Sequence, residues 1–190
     1  MPTAIRSLPP VVSLRWSTLL RHSPSLVLSL VPGAVFALAL AVASRAPRFA
    51  WIASPSSWPW QLWLVAFAGS VATTAGVLDW LYHRHAGVAV GRPERRAELL
   101  ALGLGGVPLF GLMLAASVAT APHVFLVPVL IVLVFTTALV VFDEVAFHRR
   151  RCAPVENLLH RALTLGHLAA FLAWAHWVFV EGALAAGAAS

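Results

Sequence analysis

Five apolar stretches, near 24–45, 61–83, 97–119, 124–147 and 158–184, fill most of this 190-residue chain, and each is long enough to cross a lipid bilayer. A hydrocarbon core of roughly 30 Å takes roughly 20 helical residues to span. Inside it every backbone N–H and C=O must be satisfied within the protein, which leaves helices or a closed barrel. None of the five stretches shows the two-residue alternation of a barrel strand. The expected fold is an all-α integral membrane protein with five transmembrane helices. Composition agrees, with 60% hydrophobic residues and 11% charged, far from the balance of a soluble domain.

Residues 1–23 carry Arg6, Arg15 and Arg21 among Leu, Val and Trp16, and Pro9-Pro10 interrupts any long helix there. This pattern predicts an interfacial N-terminal segment lying on the bilayer, followed by a single transmembrane domain over 24–190. Ala41-Val42-Ala43-Ser44 has the small side chains of a signal cleavage site. The stretch ahead of the apolar run is longer than a usual signal n-region, so the run is read as a retained span.

All thirteen basic residues are Arg, and the formal charge is +6. Arginines concentrate in the N-terminal segment, in 84–96 and in 148–161, three segments that five alternating spans put on one side. By the positive-inside rule the N-terminus is cytoplasmic and the C-terminus outside. The cytoplasmic membrane of a bacterium is the expected location. Cationic loops of this kind account for the charge without a nucleic-acid partner. The single cysteine, Cys152, excludes an intramolecular disulfide and any Cys-rich zinc or iron–sulfur site.

Six of the seven acids, Asp79, Glu94, Glu98, Asp143, Glu144 and Glu156, lie at two helix–loop–helix junctions on the arginine-rich side. Five of the eight histidines, His83, His85, His148, His160 and His167, lie in or beside the same junctions. Asp79 and His83, Glu94 and Glu98, Glu144 and His148, and Glu156 and His160 are each four residues apart. That spacing is about one helical turn, so each pair shares a face. The junctions also match each other: Asp79 to Arg84 parallels Glu144 to Arg149, and Glu94 with Glu98 parallels Glu156 with His160. Helices 2–5 therefore read as a four-helix bundle made from two duplicated helical hairpins.

Carboxylates and imidazoles gathered at one end of a bundle are the donors of a dinuclear metal site, as in soluble di-iron proteins, although those use Glu-x-x-His rather than acid-x3-His. Mixed N and O donors suit two divalent transition-metal ions, iron first, with manganese or zinc as substitutes. The expected metal ligands are Asp79, His83, Glu94, Glu98, Glu144, His148, Glu156 and His160. His85, His167 and Asp143 are second-rank or supporting ligands, and Arg149, Arg150 and Arg151 form a candidate site for an anionic lipid head group. No catalytic side chain beyond the ligands is assigned.

This pattern predicts a membrane-embedded non-haem di-iron oxidoreductase acting on a lipidic or hydrophobic substrate, with a possible redox partner. Three alternatives stand beside it: a haem-binding electron carrier, a metal-dependent lipid hydrolase, and a metal transporter or binding protein. A fourth treats the junction charges as solvated surface pairs worth roughly 0–1 kcal/mol each. Convergence of the side chains in space separates that last alternative from the others. His22, His123 and His176 read as interfacial or packed residues, and Trp51, Trp58, Trp60 and Trp63 as anchors at the outer surface. Gly103-Leu104-Gly105-Gly106 lies within an apolar helix and predicts close helix packing rather than a phosphate loop.

Overall fold

The computed structural model describes residues 23–85, 92–143, 145 and 153–181. Residues 1–22 of the segment expected to be interfacial, Glu144, His148 and Arg149–Arg151 fall outside the described residues, as do the side chains of His85, Glu94 and Asp143. Among the described residues, five helices are long and apolar enough to cross a membrane, with spans Leu26–Ala43, Trp60–His83, Arg96–Val118, Pro122–Phe142 and Pro154–Glu181. They are named here in chain order: α1 is Ser23–Ala43 and α2 is Trp60–His85. Helix α3 is a continuous run of Arg92–Leu100, a π turn Ala101–Gly106, and Val107–Val118. Helix α4 is Leu126–Asp143, and α5 is Pro154–Ala175 followed by a π turn His176–Glu181.

Local chemistry explains the interruptions. Pro108 has no N–H for the carbonyl one turn earlier, and its ring crowds that carbonyl. The helix widens into the π turn immediately ahead of it. Pro154 occupies the first turn of α5, where its missing N–H and fixed φ cost nothing. Between α1 and α2, the turns Pro47–Ala53 and Pro55–Ser57 pack tryptophans at what we call the tryptophan-rich end. There the Trp58 indole N–H donates to the Ile52 carbonyl at 2.8 Å, and Arg48 donates to the Ala119 carbonyl at 3.1 Å. Trp51 meets Trp177 edge-on, with ring centroids 5.9 Å apart.

Helix α2 packs along α5, and α3 packs along α4, while α1 lies mainly against α3 with a smaller contact to α2. The close pairs are therefore α3 with α4, which the short 119–125 connection joins, and α2 with α5, while α2 makes little contact with α3 and α4 little with α5. Both pairs meet at glycine. A Cβ on Gly166 would lie 2.9 Å from the Ala68 carbonyl oxygen and 3.0 Å from the Ala72 side chain. A Cβ on Gly105 would lie 2.6 Å from Thr136 Oγ1. Small residues let helix backbones approach in lipid, where dispersion packing rather than water expulsion drives association. The close packing expected of the 103–106 glycines is realised at Gly105.

A core toward the tryptophan-rich end joins Phe36 of α1, Met113 and Ala116 of α3, Val129 of α4, and Trp174 and Val178 of α5. The Trp174 ring is fully buried, and its indole N–H donates to Ser117 Oγ at 2.9 Å, so its one polar atom is satisfied.

Candidate metal centre

One face of α2 carries Gln61, Val65, Ala68, Ala72, Ala75, Asp79 and His83, spaced by four or three residues. That spacing is the seam of two helices crossing at a shallow angle. Small residues fill its middle, so the polar residues toward its arginine-rich end are carried against the start of α5. Asp79 and His83 meet Glu156 and His160 there.

Asp79 Oδ2 lies 3.7 Å from His83 Nε2 and 3.3 Å from His160 Nε2, so one carboxylate oxygen faces both imidazoles. His83 Nε2 is also 3.1 Å from Glu156 Oε1. Among the described residues, one ligand atom from each of Asp79, His83 and His160 lies within 4.8 Å of the other two. The pair of contacts to Asp79 is longer than a usual N–H···O bond of about 2.7–3.2 Å. Donors bound to one ion at 2.0–2.1 Å in a tetrahedron are separated by about 3.4 Å. At 3.3 and 3.7 Å the Asp79 contacts fit ion pairs with protonated imidazoles as well as co-ligands of one ion.

Side-chain exposure is 18% for Asp79, 16% for His83, 18% for His160 and 6% for Glu156. Asp79 Oδ1 and His83 Nδ1 are buried without a hydrogen-bond partner. Carboxylates withdrawn from water need a compensating positive charge, which protonated imidazoles or a bound dication can supply. Glu156 Oε2 accepts the Ala153 N–H at 3.2 Å, which ties this carboxylate to the first turn of α5. The Tyr82 ring stands edge-on to His83 at 6.3 Å.

Of the expected ligands, Asp79, His83, Glu156 and His160 are brought together. Glu98 is half-buried near the start of α3 and is not a member of the three-residue group, and His167 lies on the exposed side of α5. The placement of Glu94, Glu144, His148, His85 and Asp143 as ligands, and of Arg149, Arg150 and Arg151 as a head-group site, rests on residues or side chains outside the described set.

Sequence reasoning passed over a second polar cluster at the tryptophan-rich end of the same seam. Gln61 is fully buried there, and its Nε2 donates to His176 Nδ1 at 2.9 Å and to Glu181 Oε1. The available signal was that Gln61 shares the four-and-three spacing of Ala68, Ala72 and Asp79. Comparison of the chain with protein-family models, curated proteins and solved structures returns no match.

Proposed function

We propose that this protein is a membrane-embedded metalloenzyme, a non-haem iron oxidoreductase acting on a hydrophobic or lipidic substrate at the arginine-rich end. The observation that carries the proposal is the convergence of Asp79, His83 and His160. Two imidazoles and one carboxylate, leaving further coordination positions open, are the donor set of non-haem Fe(II) oxygenases. Bound iron would supply the redox chemistry. Asp79, His83 and His160 would hold it, and Glu156 Oε1, 3.1 Å from the same His83 Nε2 that faces Asp79, would set a second negative charge beside the ion. Leu78, Val155 and Leu158 beside these residues are 47%, 55% and 66% exposed, an apolar surround suited to a substrate arriving from the lipid.

In the fuller, dinuclear form of this proposal, a second ion draws on Glu94, Glu98, Glu144 and His148. Support comes from the pairing of helices. A two-fold axis along the membrane normal that exchanged two duplicated hairpins would exchange α2–α5 with α3–α4, the two pairs that do pack. It would also bring the Gly166 contact near the Gly105 contact. The sequence counterparts of Asp79, His83, Glu156 and His160 under that operation are Glu144, His148, Glu94 and Glu98.

The alternatives are less well supported. A haem between His83 and His160 would need the space taken by the Asp79 carboxylate, which lies 3.7 and 3.3 Å from the two imidazoles. A transport path along the α2–α5 seam would have to pass Gly166, where the backbone of one helix rests on the other. The deciding experiment is metal analysis and absorption spectroscopy of protein purified without added metal or chelator. One or two equivalents of iron with no haem absorbance are expected, and zinc in its place would redirect the proposal to hydrolysis. Metal-free protein that stays folded and takes up no iron would overturn it.

A further inference from the structure

At the end of the α2–α5 seam opposite Asp79, polar groups converge on one atom of a buried amide. Gln61 is 0% exposed, and its Nε2 donates to His176 Nδ1 at 2.9 Å and to Glu181 Oε1. Its other polar atom, Oε1, is buried with no hydrogen-bond partner. The Trp60 ring packs over His176 with centroids 5.5 Å apart. A π turn spans His176–Glu181, and it is what brings these two side chains together. Five residues along an α-helix leave side chains about 140° apart, whereas i→i+5 pairing stacks them.

We propose that Gln61, His176 and Glu181 form a second cation site, for a divalent transition-metal ion, at the tryptophan-rich end. An imidazole lone pair and a carboxylate oxygen already point at one place, held there by the amide N–H groups. Rotation of the Gln61 amide by half a turn would bring Oε1, now without a partner, toward the same place. The resulting set of one nitrogen and two oxygen donors suits zinc and its neighbours. Glu181 is the one acid outside the two arginine-rich junctions. Arg48, one of two arginines between α1 and α2, is directed to the Ala119 carbonyl and the Phe49 ring. Among the described residues no Arg pairs with Glu181, and a bound cation would supply the positive charge that a half-buried carboxylate calls for. A bare ion also fits the full burial of Gln61 better than a bulky organic ligand does.

The test loads purified full-length protein in detergent with Zn²⁺, removes the excess and counts bound zinc. Parent protein is compared with His176→Ala, with Glu181→Gln, and with Asp79→Asn combined with His83→Ala. The expected result is that His176→Ala and Glu181→Gln each lose one equivalent that the Asp79/His83 variant retains. A further variant, Gln61→Glu, replaces the amide donor with a third charged acceptor. It should unfold at lower temperature than the parent without metal, recover on adding Zn²⁺, and bind zinc at least tenfold more tightly. If His176→Ala and Glu181→Gln keep the parent's zinc content, and Zn²⁺ fails to restore Gln61→Glu, the cluster is a hydrogen-bonded clamp and the proposal is overturned. That outcome leaves the Asp79 centre standing, because the Asp79/His83 variant reports on it separately.

Discussion

Asp79 faces two imidazoles with a single oxygen, so its loss removes the group that joins α2 to His160. Asp79→Asn, His83→Ala and His160→Ala should each lower iron affinity at least tenfold, roughly the scale on which even supporting ligands act. Leu165→Ala, on an exposed apolar position of α5, should leave metal content at the parent level. Equal metal content across all four variants would remove Asp79, His83 and His160 from the site. Glu156 permits a finer separation, because its two oxygens have different tasks. Glu156→Gln keeps an acceptor for the Ala153 N–H and gives up the charge, so metal affinity should fall with little change in unfolding temperature. Glu156→Ala gives up both, and should lose about 1 kcal/mol more from the helix start. Isothermal titration with Fe²⁺ beside thermal unfolding distinguishes the two. These four residues were legible in the sequence because acid-x3-ligand spacing is a property of one helix. Gln61 was passed over, since its place in the four-and-three spacing of α2 gains meaning for an amide only once its burial is known.

At the scale of the elements, two glycines set how closely the helices approach. Gly166→Leu should push α5 off Ala68 and Ala72, costing about 1–3 kcal/mol by overpacking. Metal binding should weaken with it, although no ligand is touched. Gly105→Ala meets Thr136, whose hydroxyl already donates to the Val132 carbonyl at 2.7 Å. Its destabilisation should be partly relieved by Thr136→Ala, so the double variant should be more stable than the sum of the single changes predicts. Unfolding curves of the four proteins in one detergent check this, and strict additivity would mean that the two positions do not press on each other. The helices themselves were legible from hydrophobic length, since a span must be both long and apolar. The π turns were not. Extrapolating a regular α-helix from His160 puts His176 roughly opposite, on the face away from α2, whereas the observed His176 bonds Gln61 of α2. The turn that follows adds the extra residue by which Glu181 joins it.

For the whole molecule, five apolar helices were plain from composition, but which helix lies against which was not. Apolar faces in lipid carry no inside and outside in their pattern, and the small-residue contacts that choose partners are spread among many alanines. Hence the sequence pattern named a bundle of helices 2–5 without its contacts, and the observed pairs are α2 with α5 and α3 with α4. Orientation is testable with the native chain, because its single cysteine, Cys152, falls in the arginine-rich 148–161 segment. A membrane-impermeant maleimide should label Cys152 in inverted membrane vesicles and leave it unlabelled from outside intact cells. The opposite pattern would reverse the assignment of the arginine-rich end to the cytoplasm. The closed seam at Gly166 also has an electrical meaning. Gln61 and Asp79 are eighteen residues apart on α2, about 27 Å at 1.5 Å per residue. Much of a membrane potential would drop across the packed alanines between them. A charge crossing the full field exchanges about 2.3 kcal/mol per 100 mV, and a dication twice that. Ions held at the two ends would then answer to two different compartments, and each would cross so little of that field to reach its site that voltage would bias its occupancy only weakly.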